Sequence, residues 1–262
     1  MLNIAIEAAK EAGKFLKHNL GKVREINLKS GQEKNLVTEI DKKSEEMIVG
    51  IIRKHFPNHD ILAEESGSEH GKKSDFRWII DPLDGTTNFT HGLPIFCVSI
   101  GLERKGELIA GVIYDPNLNE LFSAEKGRGA FLNGRRLRVS QTASLKQSLL
   151  VTGFPYNVNE NPDNCIEHFV NFLFEGQAVR RMGSAAIDMA YVAAGRYDGF
   201  WEVNLNAWDM AAGVLLIREA GGKVTGFKGE EINIYGKQIV ASNGLIHDEM
   251  VGLISRKPTL LK

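Results

Sequence analysis

The chain has 262 residues, with 32 Lys and Arg against 33 Asp and Glu and a formal charge of −1. That balance excludes a protein held to nucleic acid by a bulk basic surface. The 43% hydrophobic content excludes a disordered chain, and the length suits one large domain or two smaller ones.

In chain order, residues 3–18 place Ala5, Ala8, Ala9, Ala12, Phe15 and Leu16 at helical spacing, and Gly21 ends that helix. Residues 29–35 carry no periodicity and read as a loop. Asp41 is expected to N-cap a second helix that buries Met47, Ile48, Ile51 and Ile52 and stops before Pro57. Strands are expected at 60–63 and at 78–80, the latter ending in Asp81. Runs 95–103 and 107–114 form a hairpin about Lys105-Gly106, and 120–124 and 130–132 extend an antiparallel sheet.

After Leu149 the pattern alternates. Strands are expected at 149–151, 197–203, 223–227 and 238–241, with helices at 164–174, 184–194, 208–220 and 245–255. No repeat or low-complexity linker interrupts the chain. The expected fold class is mixed α/β (α+β) with two sheets, as one unit over 1–262. It would consist of two closely packed subdomains, 1–145 and 146–262.

Cys97 and Cys165 are too few for a disulfide framework and read as reduced core residues. With seven histidines they make no zinc-ligand spacing. Glu7, Lys10, Glu11 and Lys14 break any signal-peptide core. The longest uncharged apolar run, 210–217, falls far short of the ~20 residues of a membrane span. A soluble, cytoplasmic protein is expected.

Carboxylates interrupt the apolar runs. Glu64-Glu65 follow one strand, Asp81 and Asp84 another, and Asp41 and Asp209 sit at helix starts. Singly, such acids cap helices and turns. A Pro82-stiffened segment, however, holds Asp81 and Asp84 together only if a cation compensates them, and oxygen donors alone favour Mg²⁺ or Mn²⁺. Gly85-Thr86-Thr87 then offers backbone N–H groups to an anion, and the helix start at Gly183-Ser184-Ala185-Ala186 is expected to offer a second cradle. Carboxylates beside amide donors describe metal-assisted phosphoryl transfer. Glu65 is disfavoured as a ligand beside Glu64, because adjacent strand residues face opposite ways.

At these residues the sequence resembles the inositol monophosphatase family of magnesium-dependent, lithium-sensitive phosphatases. The matching stretches are 35–41, 64–66, 78–88, 183–186, Trp208-Asp209 and 219–222. The resemblance spans nearly the whole chain and implies a layered α-β-α-β-α sandwich and a homodimer. It implies that Glu64, Asp81 and the Leu83 carbonyl bind one Mg²⁺, and that Asp81, Asp84 and Asp209 bind a second. A third, weaker ion would share Glu64 through water.

The resemblance further implies that Asp41 and Thr86 orient and deprotonate the attacking water, with Glu64 also catalytic. The Gly85 and Thr86 amides would hold phosphate, and Gly183, Ser184, Ala185, Glu202 and Asp209 would contact polyol hydroxyls. The 29–35 loop would close over the site. His91 reads as structural rather than as a general base. Asn206 stands where animal relatives tend to carry His, which implies looser polyol selectivity. The alternatives are a fructose bisphosphatase, a nucleoside bisphosphate phosphatase or a dual-specificity enzyme. In another class stands a binding partner in a bacterial transcription complex, to which Arg180-Arg181 would contribute.

Overall fold

Apolar residues at helical and strand spacing set the elements, which the computed structural model describes over residues 1–22, 26–28, 36–69 and 74–256. The first half runs α1 (Leu2–Asn19), β1 (Ile26–Leu28), β2 (Leu36–Thr38), α2 (Glu39–His55), β3 (Asp60–Ala63), β4 (Gly67–Glu69), β5 (Phe76–Asp84) and α3 (Thr86–Thr90). Next come β6 (Cys97–Arg104), β7 (Glu107–Asp115), β8 (Glu120–Glu125), β9 (Gly129–Leu132) and β10 (Arg135–Arg136). The second half runs β11 (Leu149–Thr152), α4 (Cys165–Glu175), β12 (Ala178–Arg180), α5 (Ala185–Ala193), β13 (Gly199–Val203), α6 (Ala207–Glu219), β14 (Lys223–Thr225), β15 (Gln238–Ser242) and α7 (His247–Ile254). The 29–35 loop lies outside the described residues.

An eight-stranded sheet has the order β10-β9-β8-β7-β6-β5-β3-β4, and a five-stranded sheet the order β12-β11-β13-β15-β14. Among the described residues of the larger sheet, only the β3–β5 pair is parallel. Strand periodicity sorts residues to opposite faces. Val98, Ile100 and Leu102 of β6 pack with Ala8, Ala12 and Leu16 of α1 and Ile48 and Ile52 of α2. Cys97, on the other face, joins the core that α5 and α6 build between the two sheets. On the outer face of the smaller sheet, Leu150, Trp201 and Val240 pack with Phe172 of α4 and Met250 of α7. The Trp201 and Phe172 rings stack at 3.8 Å. The layers are therefore α-β-α-β-α. Because most of β6 and residues 210–217 of α6 are buried on both faces, those stretches are mainly apolar without a clean alternation of polar residues.

Two glycines set how closely α6 lies on the larger sheet. Gly101 of β6 pairs with Gly111 of β7. A Cβ on Gly101 would stand 2.6 Å from the Ala211 Cβ, and one on Gly111 3.0 Å from the Ala212 Cα. Gly111→Val is expected to cost about 1–3 kcal/mol by overpacking against helix backbone. Gly50→Ala, on the open side of α2 with nothing within 4 Å of the added carbon, is expected to stabilise slightly. Urea midpoints of the two variants check the contrast.

Three expectations need correction. Asp41 does not cap α2: the helix begins at Glu39, directly after β2, and Asp41 is a buried residue of its first turn. Two acids there still favour the positive end of the helix dipole. The strand expected to stop at Asp81 continues to Asp84, because a compensated carboxylate need not end a buried strand. Met47 and Ile51 are only partly buried; the inward stripe of α2 is Asp41, Ser44, Glu45, Ile48 and Ile52. The short strands β4, β10 and β12 were too brief for periodicity to show.

Candidate metal and phosphate site

The site grows from an irregularity in β5. Asp81 pairs with Ser99 and Asp84 with Cys97, with a register shift between them. Residues three apart in a regular strand face opposite ways, whereas 97 and 99 share a face. The extra residue therefore turns both aspartates to the α5–α6 side. Pro82 has no N–H to give the ladder, and its freed carbonyl accepts a hydrogen bond from Ser44 Oγ at 2.9 Å. Asp81 Oδ1 accepts from the Leu83 amide at 3.0 Å, which fixes the bend.

Other elements bring the remaining acids. β3 runs parallel to β5 with Ala63 opposite Ile80, so Glu64 emerges beside Asp81, its amide donating to the Ile80 carbonyl at 3.2 Å. Asp209 lies in the first turn of α6, where the Asn206 amide donates to its Oδ2 at 2.6 Å. Asp41 reaches in from α2 on the opposite face of the sheet. Carboxylate oxygens of Asp81, Asp84 and Asp209 lie within 4.8 Å of one another, and so do those of Asp41, Glu64 and Glu65. Glu65 thus joins the site. It sits in a turn after β3 rather than in the strand, so strand alternation does not apply to it.

Electrostatics agree with the geometry. Burial, then Glu64, Asp84, Asp209 and Asp41, push the Asp81 carboxyl well above the usual carboxylate range. Burial, then Asp84 and Glu64, raise Asp209 to about 8. Burial also raises Asp84, against hydrogen bonds from Ser184 and the Ala186 amide. Two unit charges 4 Å apart repel by about 4 kcal/mol at an effective dielectric constant of 20. Such clusters ionise together only around a cation, and their all-oxygen donor set fits a hard divalent ion.

Gly85 starts α3 with φ 101°, and a Cβ there would stand 2.8 Å from the Ile95 carbonyl oxygen. Thr86 Oγ1 lies 3.3 Å from Asp41 Oδ2 and 3.0 Å from the Leu83 carbonyl, and donates its one proton to either. His91 is exposed at the end of α3. The second cradle, at Gly183 to Ala186, is already filled. Asp84 Oδ2 accepts from Ser184 Oγ at 2.6 Å and from the Ala186 amide at 2.7 Å. The anion at the N-terminus of α5 is the chain's own carboxylate.

Glu202 is buried on β13; burial and then Asp209 raise its carboxyl, and the Gly153 amide hydrogen-bonds it. Cys97 and Cys165 are both free and buried.

Sequence reasoning missed three residues here. Asn88 Nδ2 donates to the Ile95 and Met182 carbonyls at 2.8 Å each, tying α3 to the segment before α5. Glu45 holds the Glu64–Glu65 turn. Asp188, buried on α5, has no hydrogen-bond partner for either carboxylate oxygen among the described residues. Burial, then Glu202 and Asp84, push its carboxyl well above the usual range. Only the polarity of Asn88 and Glu45 on inward-facing positions could have signalled them.

Comparison with known proteins decides the family. The sequence model of the inositol monophosphatase family matches residues 1–258. The chain belongs to the inositol monophosphatase family. It is 43% identical over 256 residues to the inositol-1-monophosphatase of Mesorhizobium japonicum, covering 98% of this chain and 96% of that one. It is also 48% identical over 247 residues to the Nus factor SuhB of Pseudomonas aeruginosa, covering 93% and 91%. The crystal structure of extragenic suppressor protein suhB from Bartonella henselae superposes with a TM-score of 0.92 at 43% identity, covering 97% and 98%. The family's phosphatase character matches acidic clusters able to hold metal ions. Among the described residues no helix is long and apolar enough to cross a membrane.

The raised acids give this member of the family a pH signature. Their folded pKa values lie above the unfolded values, so without metal the folded state binds more protons and stability falls as pH rises from about 4 to about 8. A bound divalent cation removes that penalty. Mg²⁺ at about 100 times its Kd is expected to add about 2.7 kcal/mol, or about 5–10 °C in Tm. At one fixed Mg²⁺ concentration the gain is expected to be larger at pH 8 than at pH 5.5, because fewer protons then compete for the acids, as thermal melts with EDTA and with Mg²⁺ will measure.

Proposed function

We propose that the chain is a Mg²⁺-dependent phosphomonoesterase acting on inositol monophosphate and similar small polyol or sugar phosphates. The observation that carries this reading is the pair of carboxylate clusters beside the Gly85-Thr86 turn. Glu64, Asp81 and the Leu83 carbonyl would hold one Mg²⁺, and Asp81, Asp84 and Asp209 a second, with Mn²⁺ as a substitute. Bound metal would supply charge neutralisation for the phosphate and acidify a coordinated water.

The protein's own groups do the rest. Thr86 Oγ1 would accept a hydrogen bond from the attacking water while donating to Asp41, so a proton can pass from water to the Asp41 carboxylate. The Gly85 and Thr86 amides would hold phosphate oxygens. Glu202, Ser184 and the Gly183 to Ala185 backbone would face the polyol. Ser184 can do so only while its hydroxyl proton stays with Asp84, accepting rather than donating.

A steady-state screen of inositol monophosphates, fructose bisphosphate and nucleoside bisphosphates tests the reading, with EDTA as control. The highest kcat/KM is expected for inositol monophosphate. Preferred turnover of fructose bisphosphate would favour a bisphosphatase, and no turnover of any phosphomonoester would refute the enzyme. The family resemblance supports lithium inhibition, a homodimer and a cytoplasmic location; light scattering tests the dimer.

A second reading rests on names. Relatives 46–48% identical to this chain are called Nus factor SuhB, which supports a role in a transcription complex. Arg180 and Arg181 are exposed and available to such a partner. Pull-down with transcription elongation factors tests it, and no retention would remove it.

A further inference from the structure

We infer that Glu45 is a positioning residue for the metal site and that Ser44 beside it completes the same device. The inference rests on the proposal that the acids bind Mg²⁺. Neither residue touches that ion's proposed ligands through a side chain. Both act on the backbone that carries them.

Glu45 is buried on α2, one turn after Asp41 and on the same face. Its two carboxylate oxygens accept from the amides of Glu65 at 2.8 Å and Ser66 at 2.9 Å. A carboxylate has two acceptors and no donor, so it matches two convergent N–H groups, which a carboxamide of the same size cannot. The turn it grips carries Glu64 and Glu65. Ser44 donates to the Pro82 carbonyl at 2.9 Å, at the irregularity that turns Asp81 and Asp84 to one side. Three consecutive inward positions of one rigid helix thus present a site carboxylate, a brace for one acidic segment and a brace for the other. The separations in sequence are 20 and 21 residues for Glu45 and 38 for Ser44. One helix therefore fixes the spacing of acids from three chain segments.

Glu45→Gln places an NH₂ group against one of the two amides and should loosen the turn. Mg²⁺ affinity measured by calorimetry on the full chain is expected to fall about tenfold, in the range found when groups supporting metal ligands are lost. The Mg²⁺ concentration for half-maximal phosphatase rate should rise in step, while kcat at saturating Mg²⁺ stays within a few-fold of the parent. A merely structural role would lower Tm and leave the Mg²⁺ affinity of folded protein unchanged, and that result would overturn the inference. Should Glu45→Gln not fold, Ser44→Ala decides. It removes one hydroxyl, and unchanged Mg²⁺ affinity there would equally overturn the inference. If the parent chain binds no Mg²⁺, it is the proposed function that fails, an outcome visible before any variant is made.

Discussion

Asp84→Asn is expected to lower kcat by at least about 10³-fold while leaving the fold intact, because it removes charge where a transition state would need it compensated. The argument rests on which oxygen is already committed. Asp84 Oδ2 accepts from Ser184 and from the Ala186 amide. In the variant the single carboxamide oxygen must take that place, since an NH₂ group cannot face two donors. The NH₂ group is then aimed at Asp81 and Asp209, where it donates hydrogen bonds and cannot coordinate a cation. Metal-free Asp84→Asn should therefore melt no lower than the parent, and its Tm should gain little from Mg²⁺. Retained turnover at saturating Mg²⁺ would remove Asp84 from the ligand set.

Thr86→Ala is expected to lower kcat about 10²- to 10⁴-fold, the usual contribution of a positioned proton-transfer group, with KM changed only a few-fold. Its hydroxyl faces Asp41 and the Leu83 carbonyl, whereas the phosphate would be met by its amide, which alanine keeps. Thr86→Ser should recover most of the rate. A rise in KM with kcat intact would mean that the hydroxyl binds substrate rather than positioning water.

The acids of the site could be read from the chain because each interrupts an apolar run. Asp81, Asp84, Glu64 and Asp209 sit where a bland sequence would carry Val or Ala. What could not be read was their arrangement. Asp81 and Asp84 share a face only through an irregularity visible in the pairing with Ser99 and Cys97, and periodicity carries no mark of it. Glu65 was set aside by strand alternation, although the strand has already ended there. Glu45 and Asp188 look like ordinary helix carboxylates, and only their burial separates them from exposed neighbours such as Glu46. Long central strands and the apolar stretch 210–217 of α6 were legible because that stretch and the strands are covered on both faces. Two-residue β10 and three-residue β12 exist only through pairing with neighbours, which local sequence does not encode.

The Gly101–Gly111 pair has a genetic consequence. The two glycines lie in mid-sheet, carry no functional group, and touch α6 at Ala211 and Ala212, within three residues of Asp209. Any side chain there lifts the helix that delivers one of the site's acids. Loss-of-function alleles should therefore accumulate at these two positions as densely as at the carboxylates, and a mutational map of activity alone would count them as part of the catalytic centre.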